Sequence, residues 1–352
     1  MARPRRPRDP IEAIPTFVAA FVGSLPAGPP AEPALVTSRQ DFERVFGSAE
    51  GETADAVWLF FENGGLRAYV AGFDEAHPLR SLDALASVAF NILVIPATAR
   101  LPQPAATSLA VAAALLAEER RAFYVVDPPA SRTVANVARW AGSFGGGGSS
   151  ALVFPRLRVH RPSGERDVPA AGAVAGILAR TDMSRGVWVS PGSELVQGAL
   201  GPTVELDDTA SETLVQAAVN PIRRVPGRGT RLWSARTRAD TDSEWKYVNV
   251  RRFAAYVERS IEQGLQWVVF EPNSPRLWAQ VRALIRPFLT SAFRQGAFPA
   301  TTPEDAFFVR CDGTTVTQDD IGSGRLIVHV GIAPIRPAEF VVVRIGLRAR
   351  CP

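Results

Sequence analysis

Asp127 closes the apolar run Phe123-Tyr124-Val125-Val126, where the acid of a Ser-His-Asp hydrolase would stand at the mouth of a buried strand. Such a triad also needs a histidine base and a serine held beside an oxyanion donor. Neither His77 nor His160 lies in a recognisable base motif, and no serine opens a helix in the manner of a nucleophile. The run Gly145-Gly146-Gly147-Gly148-Ser149-Ser150 has the backbone freedom to wrap a phosphate. It lacks the Lys-Ser/Thr pair that would reach a nucleotide, and it leads into a strand rather than a helix, so it reads as a mobile linker. Asp207-Asp208 and Asp319-Asp320 are paired carboxylates suited in principle to acid/base work, but their Thr, Gly and Ser neighbours mark turns, where aspartates cap. Cys311 and Cys351, with His77, His160 and His329, offer no metal-ligand spacing, and the two cysteines read as packing or terminal residues rather than a bridge. The chain is therefore expected to carry no catalytic, cofactor or metal site.

Composition points to a folded, water-exposed protein. At 352 residues, 46% of them hydrophobic, the chain is long enough for two domains with cores of their own. A net charge of +4 is too small to argue for nucleic acid. No apolar run reaches membrane-spanning length, so no direct membrane insertion is expected. The basic opening MARPRRPRDP followed by IPTFVAAFVGSLPAG imitates a secretory signal, but Glu12 and Pro15 interrupt the apolar segment, and a cytoplasmic, reducing setting is expected instead.

The elements that would position these residues follow from patterning. Residues 1–15 are Pro- and Arg-rich and read as an extended arm. Across residues 16–210, short apolar runs (Val57-Phe61, Ile92-Ile95, Phe123-Val126, Leu152-Phe154) alternate with helical segments (Ser108 to Arg121, Ser131 to Ala141). That alternation predicts an α/β layer with buried, largely parallel strands. Residues 211–352 read as a second, α+β domain. Within it Phe253, Val257 and Ile261 recur at helical spacing, with Arg252, Arg259 and Glu262 on wetter faces. Gly264 ends that helix, Trp267-Val268-Val269-Phe270 reads as a short buried strand, and Pro272-Asn273-Ser274-Pro275 caps a helix running to Gln295. Arg282, Arg286 and Arg294 lie along one broad flank of that last helix, opposite Leu277, Val281, Leu284, Ile285 and Phe288. Near the end, Phe340-Val341-Val342-Val343-Arg344-Ile345-Gly346-Leu347 alternates so that Val341, Val343, Ile345 and Leu347 share a face, the pattern of a half-covered strand.

Several ordered motifs resemble the contractile phage-tail sheath family. They are the YVNVRR helix with its following W-x-V-F-E-P-N segment, TFVAAFVGSLPAGPPAEPALVTSRQDFERVFG (Thr16 to Gly47), and WLFFENGGLRAYV (Trp58 to Val70), read as strand, turn and strand. PAAGAVAGILARTDMSRGVWVSPG, NPIRRVPGRGTRLWSART (Asn220 to Thr237) and DGTTVTQDDIGSGRLIVHVGIAPIRPAEFVVVRIG (Asp312 to Gly346) complete the set. The opening RPRRPRDPIEAIP departs from the family's usual P-G-V-Y-V-E-E-like first strand.

The resemblance implies a structural, non-enzymatic subunit. Its outer α/β domain, of the subtilisin-like kind and non-catalytic, would be inserted between the N-terminal arm and an inner C-terminal domain. The subunit would polymerise with copies of itself into a helical tube around an inner tube protein, meet baseplate and terminal cap proteins, and contract on stored lattice energy without cofactor. It implies that Arg282, Arg286 and Arg294 face acidic groups of the tube, and that Phe340, Val341, Val342, Val343, Arg344, Ile345 and Leu347 form a strand exchanged between subunits. A soluble α/β enzyme of hydrolase type is the alternative. A type VI secretion sheath component is disfavoured, because those sheaths are built from two distinct chains.

Overall fold

The computed structural model describes residues 9–25, 32–47, 50–145, 147–240, 242–335 and 341–350. They form two compact units: Pro15–Arg252, and the described parts of Met1–Ile14 with Phe253–Pro352.

The larger unit is built on short, almost wholly apolar strands, the composition of strands covered on both faces. These are β1 (Val18–Gly23), β2 (Ala34–Val36), β3 (Arg67–Gly72), β4 (Ile92–Val94), β5 (Phe123–Val126) and β6 (Ser150–Phe154). Next, β7 (Leu157–Arg161), β8 (Gly164–Val168) and β9 (Gly201–Pro202) make a separate sheet in the order β8-β7-β9. Then β10 (Val219–Val225) and β11 (Gly229–Leu232) return to the main sheet, whose order is β11-β10-β6-β5-β4-β1-β3-β2. Its neighbours are parallel throughout, except the two edge pairs β2–β3 and β10–β11.

Strand alternation distributes side chains to two cores. Phe21, Ile92, Val94, Phe123 and Val125 join one, whereas Val22, Leu93, Tyr124 and Val126 join the other, each core being closed by helices on its own side. The helices of this unit are α1 (Arg39–Phe46), α2 (Glu52–Glu62), α3 (Gln103–Glu119), α4 (Val134–Ser143), α5 (Ala171–Arg185) and α6 (Asp208–Gln216).

Four expectations need correction here. Val57-Phe61 belongs to α2, not to a strand, so Trp58 to Val70 runs helix, turn, strand. The run is buried on all sides, which removes the periodicity that separates helix from strand, while Glu52 and Asp55 supply the acidic first turn of a helix. Residues 211–252 group with the larger unit rather than the second domain, because β10 and β11 extend its sheet. Arg252 is buried, not wet. The end of the glycine-rich run is also packed: Ser149 is buried, donates to Glu118 and accepts from Arg251 Nε at 3.1 Å.

In the smaller unit, α7 (Val248–Gly264), which begins within the larger one, buries Phe253, Val257 and Ile261 as its spacing predicts. Residues 9–14 of the arm carry no regular structure but are docked: Ile11 and Ile14 are buried, and Ile14 N donates to Ser260 Oγ at 3.3 Å. Ile11 lies against Gly264, where an added Cβ would meet its Cγ1 at 2.7 Å. The expected strand Trp267-Phe270 is instead a single 3-10 turn, Gln266–Phe270. It buries Trp267 and Val268 but leaves Val269 45% and Phe270 70% exposed, a consecutive rather than alternating pattern that a strand cannot produce. Next come α8 (Pro275–Arg294) and a sheet of β12 (Phe307–Arg310), β13 (Arg325–Ile332) and β14 (Val341–Arg348), in that order.

Candidate assembly surfaces

Helix α8 starts where sequence places it. The Ser274 side chain accepts from Leu277 N, Pro275 occupies the first turn where its missing N–H costs nothing, and Leu277, Trp278, Val281, Ile285, Phe288, Leu289 and Ala292 are buried. The 20-residue helix holds four arginines and no acidic residue. Its three candidate contact residues divide. Arg282 is half-buried and Nη1 donates to the carbonyl of Cys311, so it serves its own unit. Arg286 and Arg294 are exposed, as is Arg276, and among the described residues none of the three forms an ion pair within the chain. This face is thus a run of uncompensated positive charge.

The terminal strand β14 pairs antiparallel with β13 over its whole length, from Val341 opposite Ile332 to Arg348 opposite Arg325. Val343 and Ile345 are buried, Leu347 is half-buried and Arg344 is exposed. Phe340 lies outside the described residues, as do the side chains of Val341 and Val342. Since β14 ends the sheet order, its outer edge carries no strand among the described residues. That edge is closed just beyond β14: Arg350 N donates to Glu271 O at 2.9 Å, and Asn273 N donates to Arg350 O at 3.0 Å. Asn273 also donates through Nδ2 to Arg325 O (2.9 Å) and accepts at Oδ1 from Trp278 Nε1 (2.8 Å). Sequence reasoning read this asparagine merely as part of a turn; it ties the start of α8 to the first residue of β13 and to the chain just past β14.

Several of the catalytic candidates have structural partners. Asp127 is 3% exposed, and its Oδ1 accepts from Ala170 N (2.8 Å) and Ala171 N (3.0 Å), so it anchors the start of α5. Burial pushes its carboxyl up to about 7, against the opposing pull of those two amides and the Arg156 charge. His77 pairs with Asp74 at the surface, and His160 is exposed on β7. Asp207 caps α6 by accepting from Ala210 N, and Asp320 completes a capping box with Thr317. A crevice of about 230 Å³ does lie beyond the carboxyl ends of β1 and β4, where the strand order reverses and α/β enzymes bind ligands. Within it Glu52 is compensated by Arg156 (2.8 Å) and Arg100 (3.3 Å), and among the described residues no histidine, cysteine or nucleophile–base pair lines it. Among the described residues no group of acidic, histidine or cysteine side chains could hold a metal, and no helix is long and apolar enough to cross a membrane.

Comparison with known proteins gives a consistent answer. The phage tail sheath protein central domain matches residues 71–238, and the phage tail sheath C-terminal domain matches residues 240–348. A putative prophage major tail sheath protein of Pseudomonas aeruginosa (strain UCBPP-PA14) is 29% identical over 239 residues, 65% of this chain; the chain spans 59% of that relative's length. Among solved structures, the contracted helical sheath of the anti-feeding prophage is 30% identical with a TM-score of 0.81, covering 97% of this chain and 96% of that one. The contracted sheath complex of the extracellular contractile injection system PVC is 28% identical, also with a TM-score of 0.81, over 97% and 95% of the two chains.

Proposed function

Because the chain belongs to the phage tail sheath family, a family of structural proteins, we propose that it is the sheath subunit of a contractile phage tail or tail-like injection particle. It polymerises helically around an inner tube and shortens to drive that tube through a target envelope. The observation that carries this reading is likeness over nearly the full chain to sheaths solved in the contracted state. The larger unit is then the outer domain, and the smaller unit, with α8, is the inner domain that meets the tube.

The geometry supplies a physical basis. Arg276, Arg286 and Arg294 present charge that no group of the chain neutralises among the described residues, suited to acidic groups on a tube. Each exposed pair contributes below about 1 kcal/mol. Repetition along a tube makes the sum strong and salt-sensitive while each ring still releases readily. The outer edge of β14 offers unpaired backbone groups to another copy of the chain, the basis of β-augmentation. If β14 itself is exchanged between subunits, its eight-residue pairing with β13 must be remade in the neighbour. Contraction draws on a lattice with two packings, not on hydrolysis. The partners on this reading are other copies of the chain, an inner tube protein, and baseplate and cap proteins, with assembly in the cytoplasm.

Negative-stain microscopy of the expressed protein, alone and with its tube protein, tests the proposal. Rings or tubes are expected. Monomers that never assemble in either condition, or turnover of an ester substrate lost on altering the crevice, would replace it with the enzyme alternative.

A further inference from the structure

Arg252 is the last residue of the larger unit. Its Nη1 and Nη2 each donate to one carboxylate oxygen of Asp182 at 2.7 Å, and Nη2 also donates to the carbonyl of Thr16 at 2.9 Å. The two side chains are 5% and 2% exposed. Three stretches far apart in sequence are thereby joined: the first turn of α7, the last turn of α5 and the segment that leads into β1. The join lies where the chain passes out of the larger unit, since the passages are at Ile14–Pro15 and Arg252–Phe253, and Thr16 and Arg252 stand beside them.

A buried ion pair of this kind is a poor way to add stability, because desolvating both charges cancels most of their attraction; what it supplies is position. The planar guanidinium fixes direction as well as distance, meeting both carboxylate oxygens side by side and a third acceptor at once, whereas a lysine ammonium offers its three donors from a single point with no fixed plane. The preceding residue works elsewhere. Arg251 turns to Glu118 (2.8 Å) and Ser149 (3.1 Å), so consecutive arginines hold the first turn of α7 from two directions, while Thr16 at the other passage is met by Arg252 and, through its side chain, by Asp182 as well.

We infer that the Arg252–Asp182 pair is a lock that fastens both passages at one point of the larger unit, so that the segment before β1 and the first turn of α7 hold or release together. Arg252 and Asp182 are positioning residues: their effect is to make two separate chain segments behave as one attachment.

Hydrogen exchange on the full chain, comparing wild type with Arg252→Lys and Asp182→Asn, tests the lock. In both variants the amides of residues 16–18 and 248–252 are expected to exchange together, about tenfold faster than in wild type, while β5 and α3 amides are unchanged. A faster rate at residues 248–252 alone, or no change at either passage, would overturn it. Should Asp182→Asn raise exchange throughout the chain, Arg252→Lys decides: paired loosening sustains the lock, and loosening of one passage alone refutes it.

Discussion

Gly172 lies directly against the backbone of Ala56: a Cβ on the glycine would stand 2.2 Å from the Ala56 carbonyl oxygen. One turn along α5, Gly176 meets the Phe60 carbonyl in the same way, at 2.4 Å. The two glycines make a groove four residues long into which α2 is pressed, so two helices pack at backbone distance over the same face of the sheet. Because backbone cannot yield as a flexible side chain can, Gly172→Ala and Gly176→Ala should each destabilise the larger unit by about 1–3 kcal/mol or more. Urea unfolding of the single variants measures this; a loss below about 0.5 kcal/mol would mean that α2 moves aside freely.

Asp127 should make stability fall as pH rises. Burial holds its folded carboxyl near about 7 against an ordinary 3.8, so between those values the folded chain keeps a proton that the unfolded chain has lost. The resulting stabilisation is full below the ordinary value and gone above about pH 7. Asp127→Asn keeps an oxygen for the Ala170 and Ala171 amides and removes the charge. The variant should lose this downward slope and match or exceed wild type near about pH 8, by up to a few kcal/mol. Chemical unfolding at about pH 5 and about pH 8 checks the sign; a variant weaker at the higher pH, with the slope intact, would contradict it.

The arginines of α8 should separate by role. Reversing charge at Arg286 and Arg294 should leave melting within about 0.5 kcal/mol of wild type yet impair co-assembly with the tube, more so at low salt than at moderate salt. Arg282→Ala should behave oppositely, costing about 1.5–3 kcal/mol through the orphaned Cys311 carbonyl. Thermal melting beside a tube co-sedimentation assay distinguishes them. Equal effects of all three on melting would return the exposed pair to an ordinary solvated face.

Removing residues 340–352 should abolish polymerisation and leave the larger unit folded, since β14 contributes nothing to the eight-stranded sheet. The smaller unit should loosen as well, because the deletion takes the buried Val343 and Ile345 and one of the two partners of β13. Limited proteolysis followed by microscopy reads both outcomes. Normal tubes from the truncated chain would rule out any assembly role for the strand.

Legibility in the sequence followed how local each cause is. The parallel core strands could be read because Ile92-Val94 and Phe123-Val126 are short, apolar and bounded by turns. The start of α8 could be read because Ser274-Pro275 is itself the signal. The apolar run in α2 could not, since a helix buried on every side shows no period. Arg252 and Arg282 sit off the apolar stripes of their helices and so looked solvated. What buries them is Asp182 in one case and the Cys311 carbonyl in the other, groups 70 and 29 residues away that no helical wheel displays. The buried face of β14, with Val343 and Ile345, was expected from its alternation, whereas the tie made by Asn273 depends on where a turn about 70 residues upstream comes to rest.

The smaller unit takes its described parts from both sides of the larger one along the chain, residues 9–14 before it and 253–350 after it. During synthesis the larger unit is contiguous and can close once Arg252 has left the ribosome. The sheet of β12 to β14 cannot be completed until nearly everything else described has been made. The arginine-bearing α8 also emerges late, and the free β14 edge does not exist before its last residues. On the proposed reading, a nascent chain thus holds back both the tube-facing helix and the strand edge offered to other copies until synthesis is nearly done, which would keep a polymer-forming protein from linking to its neighbours while still on the polysome.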